Sequence, residues 1–198
     1  LTRALVDTAT ILSILATLGT TSVIYKFHPY YKSLTRPNQN DLSFITAMAC
    51  LLGFLVICTT GFIFKDFIIR KLGKSPLFAD RFYLVYPFTF LMLTYTWLEA
   101  FGWALKRTVT TNFLKETLIR ILTTILIVLV WAGLLGKEGF MNLFSLIYLF
   151  PVVILIIALV RTREWKFNFT ISTVTRRFKF KMITFGLFVF GANFLNVA

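Results

Sequence analysis

The sequence predicts an all-α fold, a polytopic bundle of transmembrane helices, on three observations. Of the 198 residues, 58% are hydrophobic and 23 are Phe, above the roughly 45–50% apolar content of a soluble domain. The apolar residues gather in long uncharged runs, not in the one-sided periodicity of elements around a soluble core. The bases, 21 Lys and Arg against 8 Asp and Glu for a net charge of +13, fall between those runs. On a soluble chain such a charge points to nucleic acid. At the ends of apolar runs it is the positive-inside pattern, so no nucleic-acid partner is expected.

A helix crossing about 30 Å of hydrocarbon needs about 20 largely apolar residues, and six stretches meet or approach that length. Residues 8–25 are uncharged and followed by Lys26, and residues 42–64 are uncharged and closed by Lys65. Residues 82–105 hold Glu99 alone and end at Lys106 and Arg107. Residues 117–136 contain Arg120, residues 139–160 are uncharged, and residues 182–198 form an uncharged run reaching the last residue. The chain opens on Leu1 and stops inside that run, and so reads as a piece of a longer polypeptide. The expected organisation is five spans within residues 1–160, a basic loop over 161–181, and the start of another span over 182–198.

Orientation follows from counting bases on alternating sides. The loops after the first, third and fifth spans, with Arg120 just inside the fourth, carry 14 bases, seven of them between Arg161 and Lys181. The opposite side carries 7: Arg3, Lys65, Arg70, Lys71, Lys74, Arg81 and Lys137. The richer side is read as cytoplasmic. In one loop, residues 65–74, Phe67, Ile68 and Leu72 stand against four bases, the pattern of a short amphipathic segment at the headgroups or of a solvated linker. Residues 161–181 read the same two ways, with Phe178 and Phe180 alternating with bases and Trp165 as an interface anchor. The sequon Asn168-Phe169-Thr170 falls on the cytoplasmic side and carries no weight.

Ionisable groups inside spans are costly and are the first functional candidates. Glu99, between Trp97 and Trp103, reads either as a titrating or gating group or as a structural partner of Arg120 or Lys106. Arg120, one turn into its span, either snorkels to the headgroups or faces a cavity, where its planar fork of donors suits a diphosphate. Lys26 lies in Tyr25-Lys26-Phe27-His28-Pro29-Tyr30-Tyr31-Lys32. That cluster admits an anionic lipid head or is an aromatic belt with a snorkelling lysine, and His28 reads as an interface residue. Pro87 and Pro151 are expected to bend their helices. Ser13, Gly19, Ala49, Gly53, Gly186 and Gly191 are small enough to let helices approach closely.

Cys50 and Cys58, eight residues apart on one helix, stand about 12 Å apart along its axis and cannot bridge. They read as thiols packed between helices. With one His and no carboxylate cluster, neither a metal site nor a cofactor is expected. No Gly-rich phosphate loop, paired carboxylates or nucleophile with a local base is present, so the chain reads as a non-enzyme.

The stretch from Leu18-Gly19 through Tyr25-Lys26-Phe27-His28-Pro29-Tyr30 resembles the second helix of bacterial polysaccharide-export flippases. Leu98-Glu99-Ala100 through Ala104-Leu105-Lys106-Arg107-Thr108-Val109, with Asn112-Phe113-Leu114-Lys115-Glu116, resembles their junction of helices four and five. These flippases belong to the multidrug and oligosaccharidyl-lipid exporter superfamily. The resemblance implies two six-helix lobes around a V-shaped cavity, with the six spans as helices two to seven and residues 161–181 linking the lobes. It implies a multi-pass protein of the bacterial inner membrane that flips undecaprenyl-diphosphate-linked oligosaccharide by alternating access, for O-antigen, capsule or exopolysaccharide export. Its partners would be that lipid-linked substrate and the bilayer, with any polymerase or ligase unidentified. Lys26 is the motif-matched substrate cation; Arg120 and Glu99 join it from the reading of the residues alone. The alternatives are a cation-coupled multidrug exporter of the same fold and a membrane-embedded sugar or acyl transferase.

Overall fold

The computed structural model describes residues 2–34, 40–63, 82–162, 165 and 167–197. The amphipathic segment expected at 65–74 lies outside the described residues, as do Arg36, Arg81, Arg163 and Lys166.

Every regular element among the described residues is helical. In order they are α1 (Thr2–Ala16), α2 (Thr20–Leu34), α3 (Leu42–Ile63), a 3₁₀ turn (Phe82–Leu84), α4 (Val85–Ala104) and α5 (Thr108–Asn112). A π-helical segment (Phe113–Leu118), α6 (Ile119–Trp131), α7 (Lys137–Ser145), α8 (Leu149–Arg161) and α9 (Thr173–Val197) follow. Three helical stretches are long and apolar enough to cross a bilayer: α3, residues Glu138–Arg161 taken through a short break, and α9. The bent pair α1–α2 makes a fourth if read as one span.

The six expected spans therefore meet the structure unevenly. Residues 8–25 straddle a break at Thr17–Gly19, where Leu18 (φ 48°) and Gly19 (φ 74°) take left-handed backbone and α1 and α2 meet at 45°. Residues 139–160 are broken at Leu146–Tyr148. Pro151 sits in the first turn of α8 and has no N–H to give to the carbonyl of Ile147, so a continuous helix is interrupted there. Pro87 lies in the first turn of α4, where amide donors need no helical partner, and α4 runs on unbroken. The last helix begins nine residues before the expected 182. Ser172 Oγ accepts from Thr175 N–H at 3.2 Å and Ser172 O accepts from Arg176 N–H at 3.1 Å, so the first turn is capped and the helix starts at Thr173.

Two expected spans, 82–105 and 117–136, are helical yet fall short of span character. In α4 the cause is its Thr, Tyr, Trp and Glu content; in the other, apolar α6 is only 13 residues long and Lys115, Glu116 and Arg120 crowd its approach. α4 is nevertheless the centre of the fold, packed by α1, α2, α3 and α8. One end of it joins a core with Phe82, Met141 and Phe144, where Phe88 stacks on Phe144 at 5.8 Å. The other end joins a core with Ile24, Leu155 and Leu159 through Trp97, Leu98 and Phe101.

Candidate functional site

α2 and α9 lie antiparallel. Tyr31 Oη and Thr175 Oγ1 are hydrogen-bonded at 2.6 Å, and Tyr31 O–H also points to Met182 Sδ at 3.7 Å. Moving back along α2 and forward along α9, Tyr30 meets Phe178 with ring centroids 5.7 Å apart, and Phe27 meets Phe178 and Phe185 at 6.2 and 6.4 Å. Lys26 Nζ stands 3.9 Å from the centroid of Phe185.

An open cleft of about 660 Å³ runs along this seam, lined by Lys26, Phe27, Tyr30, Phe178, Phe180, Lys181, Thr184, Phe185 and Phe188. Among the described residues that line it are two lysines and no carboxylate. Each lysine lies over a ring, Lys181 Nζ 5.8 Å from Phe178, so the ring faces hold the charges in place and their donors stay available. A wall of rings carrying two cations suits an anion attached to an apolar chain. Lys26 is exposed, lies over the Phe185 ring and lines the cleft.

The other candidates lie elsewhere. Glu99 is buried in α4, and both its carboxylate oxygens accept from Lys115 Nζ at 3.2 Å. The partner is neither Arg120 nor Lys106, because the π-helical segment brings Lys115 over the carboxylate. Lys106 turns away in left-handed backbone (φ 59°) at the end of α4. Arg120 donates to Glu116 at 2.9 Å one turn earlier on the same helix, with its side chain 80% exposed, and does not line the cleft. His28 is buried on α2. Trp165 packs back on α4, its ring 6.0 Å from Trp97 and 6.3 Å from Phe101.

Several polar groups of α4 find partners, while Tyr86 Oη and Thr89 Oγ1 on the same helix are buried with none among the described residues. Tyr95 O–H donates to Thr111 O at 2.7 Å, Trp103 Nε1–H to Thr111 Oγ1 at 3.0 Å and Trp97 Nε1–H to Thr46 Oγ1 at 3.0 Å. Cys50 and Cys58 are free thiols, and Cys50 Sγ lies 3.1 Å from Thr20 Oγ1. Among the described residues no group of three or more His, Cys, Asp or Glu is placed to hold a metal ion.

Sequence reasoning passed over two residues. Lys115 counted only as one base among many. Asp41, just before α3, was given no role, yet it is fully buried. Its Oδ2 accepts from Ser172 N–H and Thr175 Oγ1–H, each at 2.8 Å. The readable signal was Ser172-Thr173-Val174-Thr175, whose two hydroxyls three residues apart mark a helix start.

The fold and cleft define a class, a helical membrane-associated bundle with a basic aromatic groove between two of its helices. No protein-family model, curated protein or solved structure matches the chain.

Proposed function

We propose that this chain forms part of a multi-pass inner-membrane flippase that moves an undecaprenyl-diphosphate-linked oligosaccharide by alternating access. The observation that carries the reading is the α2–α9 cleft, where Lys26 and Lys181 meet a wall of rings and, among the described residues, no acid. The diphosphate answers the two ammonium groups, and the polyprenyl chain answers Phe178, Phe185 and the bilayer beside them. The resemblance of residues 18–30 and 98–116 to polysaccharide-export flippases supports the same substrate and places Lys26 in the motif. A first-lobe role for residues 1–160 belongs to this proposal. So does the assignment of Lys26, rather than Arg120, as the substrate cation, since Arg120 is already paired with Glu116 on an exposed helix face.

The test is complementation of a strain lacking its own O-antigen or capsule flippase, scored by surface polysaccharide. The protein is expected to restore the polymer. Lys26→Ala and Lys181→Ala should each lower it at least several-fold at equal expression, while Arg120→Ala stays near the parent level. Complementation with Lys26→Ala at full activity would defeat the assignment. Resistance to cationic dyes in place of polysaccharide would move the reading to a cation-coupled exporter.

A further inference from the structure

The α2–α9 seam is pinned at both ends. At one end the backbones touch: a Cβ added to Gly19 would stand 2.5 Å from the carbonyl oxygen of Gly186, closer than real side chains come. At the other end Asp41, just before α3, reaches the first turn of α9 across 131 and 134 residues of sequence, to Ser172 N–H and Thr175 Oγ1–H. Tyr31 of α2 closes the same network through Thr175. The cleft lies between the two pins.

The two pins differ in kind. Gly19 against Gly186 is steric contact and has no second arrangement to adopt in place. Asp41 is a carboxylate at 0% exposure whose other oxygen, Oδ1, has no hydrogen-bond partner among the described residues. Burying such a group is costly unless charge and donors answer it. Among the described residues the answer comes from one element: the Ser172 amide and the Thr175 hydroxyl at the start of α9, with the positive end of that helix behind them. If α9 swings away, Asp41 regains water on both oxygens, so this pin opens at lower cost than an apolar contact of similar size.

Resting on the reading of the cleft as a lipid-diphosphate site, we propose that Asp41 is a positioning residue for it: a clasp that docks the first turn of α9 against α2 and α3. The docked clasp holds Lys181 and Phe185 at working distance from Lys26. The residue touches no substrate. Its effect reaches the cleft through the register of α9, since Thr175, Phe178, Met182 and Phe185 recur at helical spacing along the face that meets α2.

Hydrogen exchange followed by mass spectrometry on the purified full protein, with binding of radiolabelled undecaprenyl diphosphate in detergent, tests this. Asp41→Ala should speed exchange over residues 173–182 at least tenfold, leave residues 85–104 unchanged and weaken binding about tenfold. Asp41→Asn keeps an oxygen that accepts both bonds and should stay within about twofold of the parent in both measurements. Unchanged exchange at 173–182 in Asp41→Ala overturns the clasp. Equal acceleration at 85–104 also overturns it, because Asp41 would then be a general stability residue. Faster exchange at 173–182 with undiminished binding, while Lys26→Ala does weaken binding, overturns the positioning role alone. If Lys26→Ala leaves binding unchanged, the cleft reading fails by itself, and the exchange data still decide whether Asp41 clasps α9.

Discussion

Eleven of the twenty residues of α4 are buried, against 11% of the apolar stretch of α9, although α9 and not α4 has the hydropathy of a membrane span. In water that pairing would be inverted. In a bilayer the solvent is itself apolar, so the helix facing outward carries the apolar residues and the helix facing its neighbours carries groups that pair. α4 holds Glu99 with Lys115, Trp97 with Thr46, and Tyr95 with Thr111. α9 holds Phe180, Leu187, Phe188 and Leu195 in the open. Hydropathy therefore marks the outward-facing α9, and the paired groups of α4 lie toward its Trp97–Trp103 end, Tyr86 and Thr89 nearer its start having no partner among the described residues.

The comparison breaks most visibly at the charges. Lys115→Ala would leave the Glu99 carboxylate buried with its ammonium gone, which costs about 3–5 kcal/mol for a fully buried pair. Lys115 is 46% exposed, and water can follow it inward, so the loss expected from unfolding in detergent falls below that range, to about 2–3 kcal/mol. Adding Glu99→Gln should recover part of that loss, because the unmatched charge is removed. On α9, Lys179 is exposed and has no ion pair among the described residues, and Lys179→Ala should change stability by less than about 0.5 kcal/mol. Equal losses at the two sites would end the distinction between the helices.

Packing gives the next effect. Phe101 is 1% exposed between α4's neighbours, and Phe188 on α9 is 76% exposed. Inside a bilayer the transfer of a ring out of water contributes little to folding, and the cavity remains. At about 24 cal/mol per Å³, a void of roughly 90 Å³ left by the phenyl ring costs about 2 kcal/mol. Phe101→Ala should lower stability by that amount and Phe188→Ala by almost nothing, read as paired melting temperatures. Thr46→Val is smaller again. It keeps the shape and strands the indole N–H of Trp97, a loss of about 1 kcal/mol, and the fluorescence of a less constrained tryptophan should follow it.

The apolar runs in the sequence located α3 well, because length and charge content are one-dimensional properties. They misplaced the breaks and the start of α9 for local reasons. At Leu18-Gly19 the break is a left-handed turn closely approached by Gly186, a residue far along the chain. At 173–181 the alternation of rings and bases read as loop or interfacial strip, while the hydroxyl cap at Ser172 made it helix. Lys26 was legible because its neighbours are aromatic in sequence as well as in space. Lys115 and Asp41 were not, since each acquires its meaning from a partner elsewhere: Glu99 sixteen residues away, and the first turn of α9 more than 130 residues away. Counting bases on loops averages over such pairings and cannot single them out.

The smallest effect tests the exposed side of the comparison most sharply. Gly191 lies within α9, and a Cβ built there meets nothing within 4 Å. The contrast is Gly53, where a Cβ would fall on the carbonyl oxygen of Ala16, and Gly102, where it would fall on Thr111 Cγ2. If the surroundings of α9 are lipid, Gly191→Ala fills open space and removes the backbone freedom that glycine must give up in a helix, a gain of about 0.5–1 kcal/mol. The melting temperature in detergent should rise slightly. If Ala at this position instead lowers stability, a backbone approaches Gly191 there, as one approaches Gly19 and Gly53. The outward face of α9 would then be an interface between helices, and its apolar residues would be packing groups like those of α4.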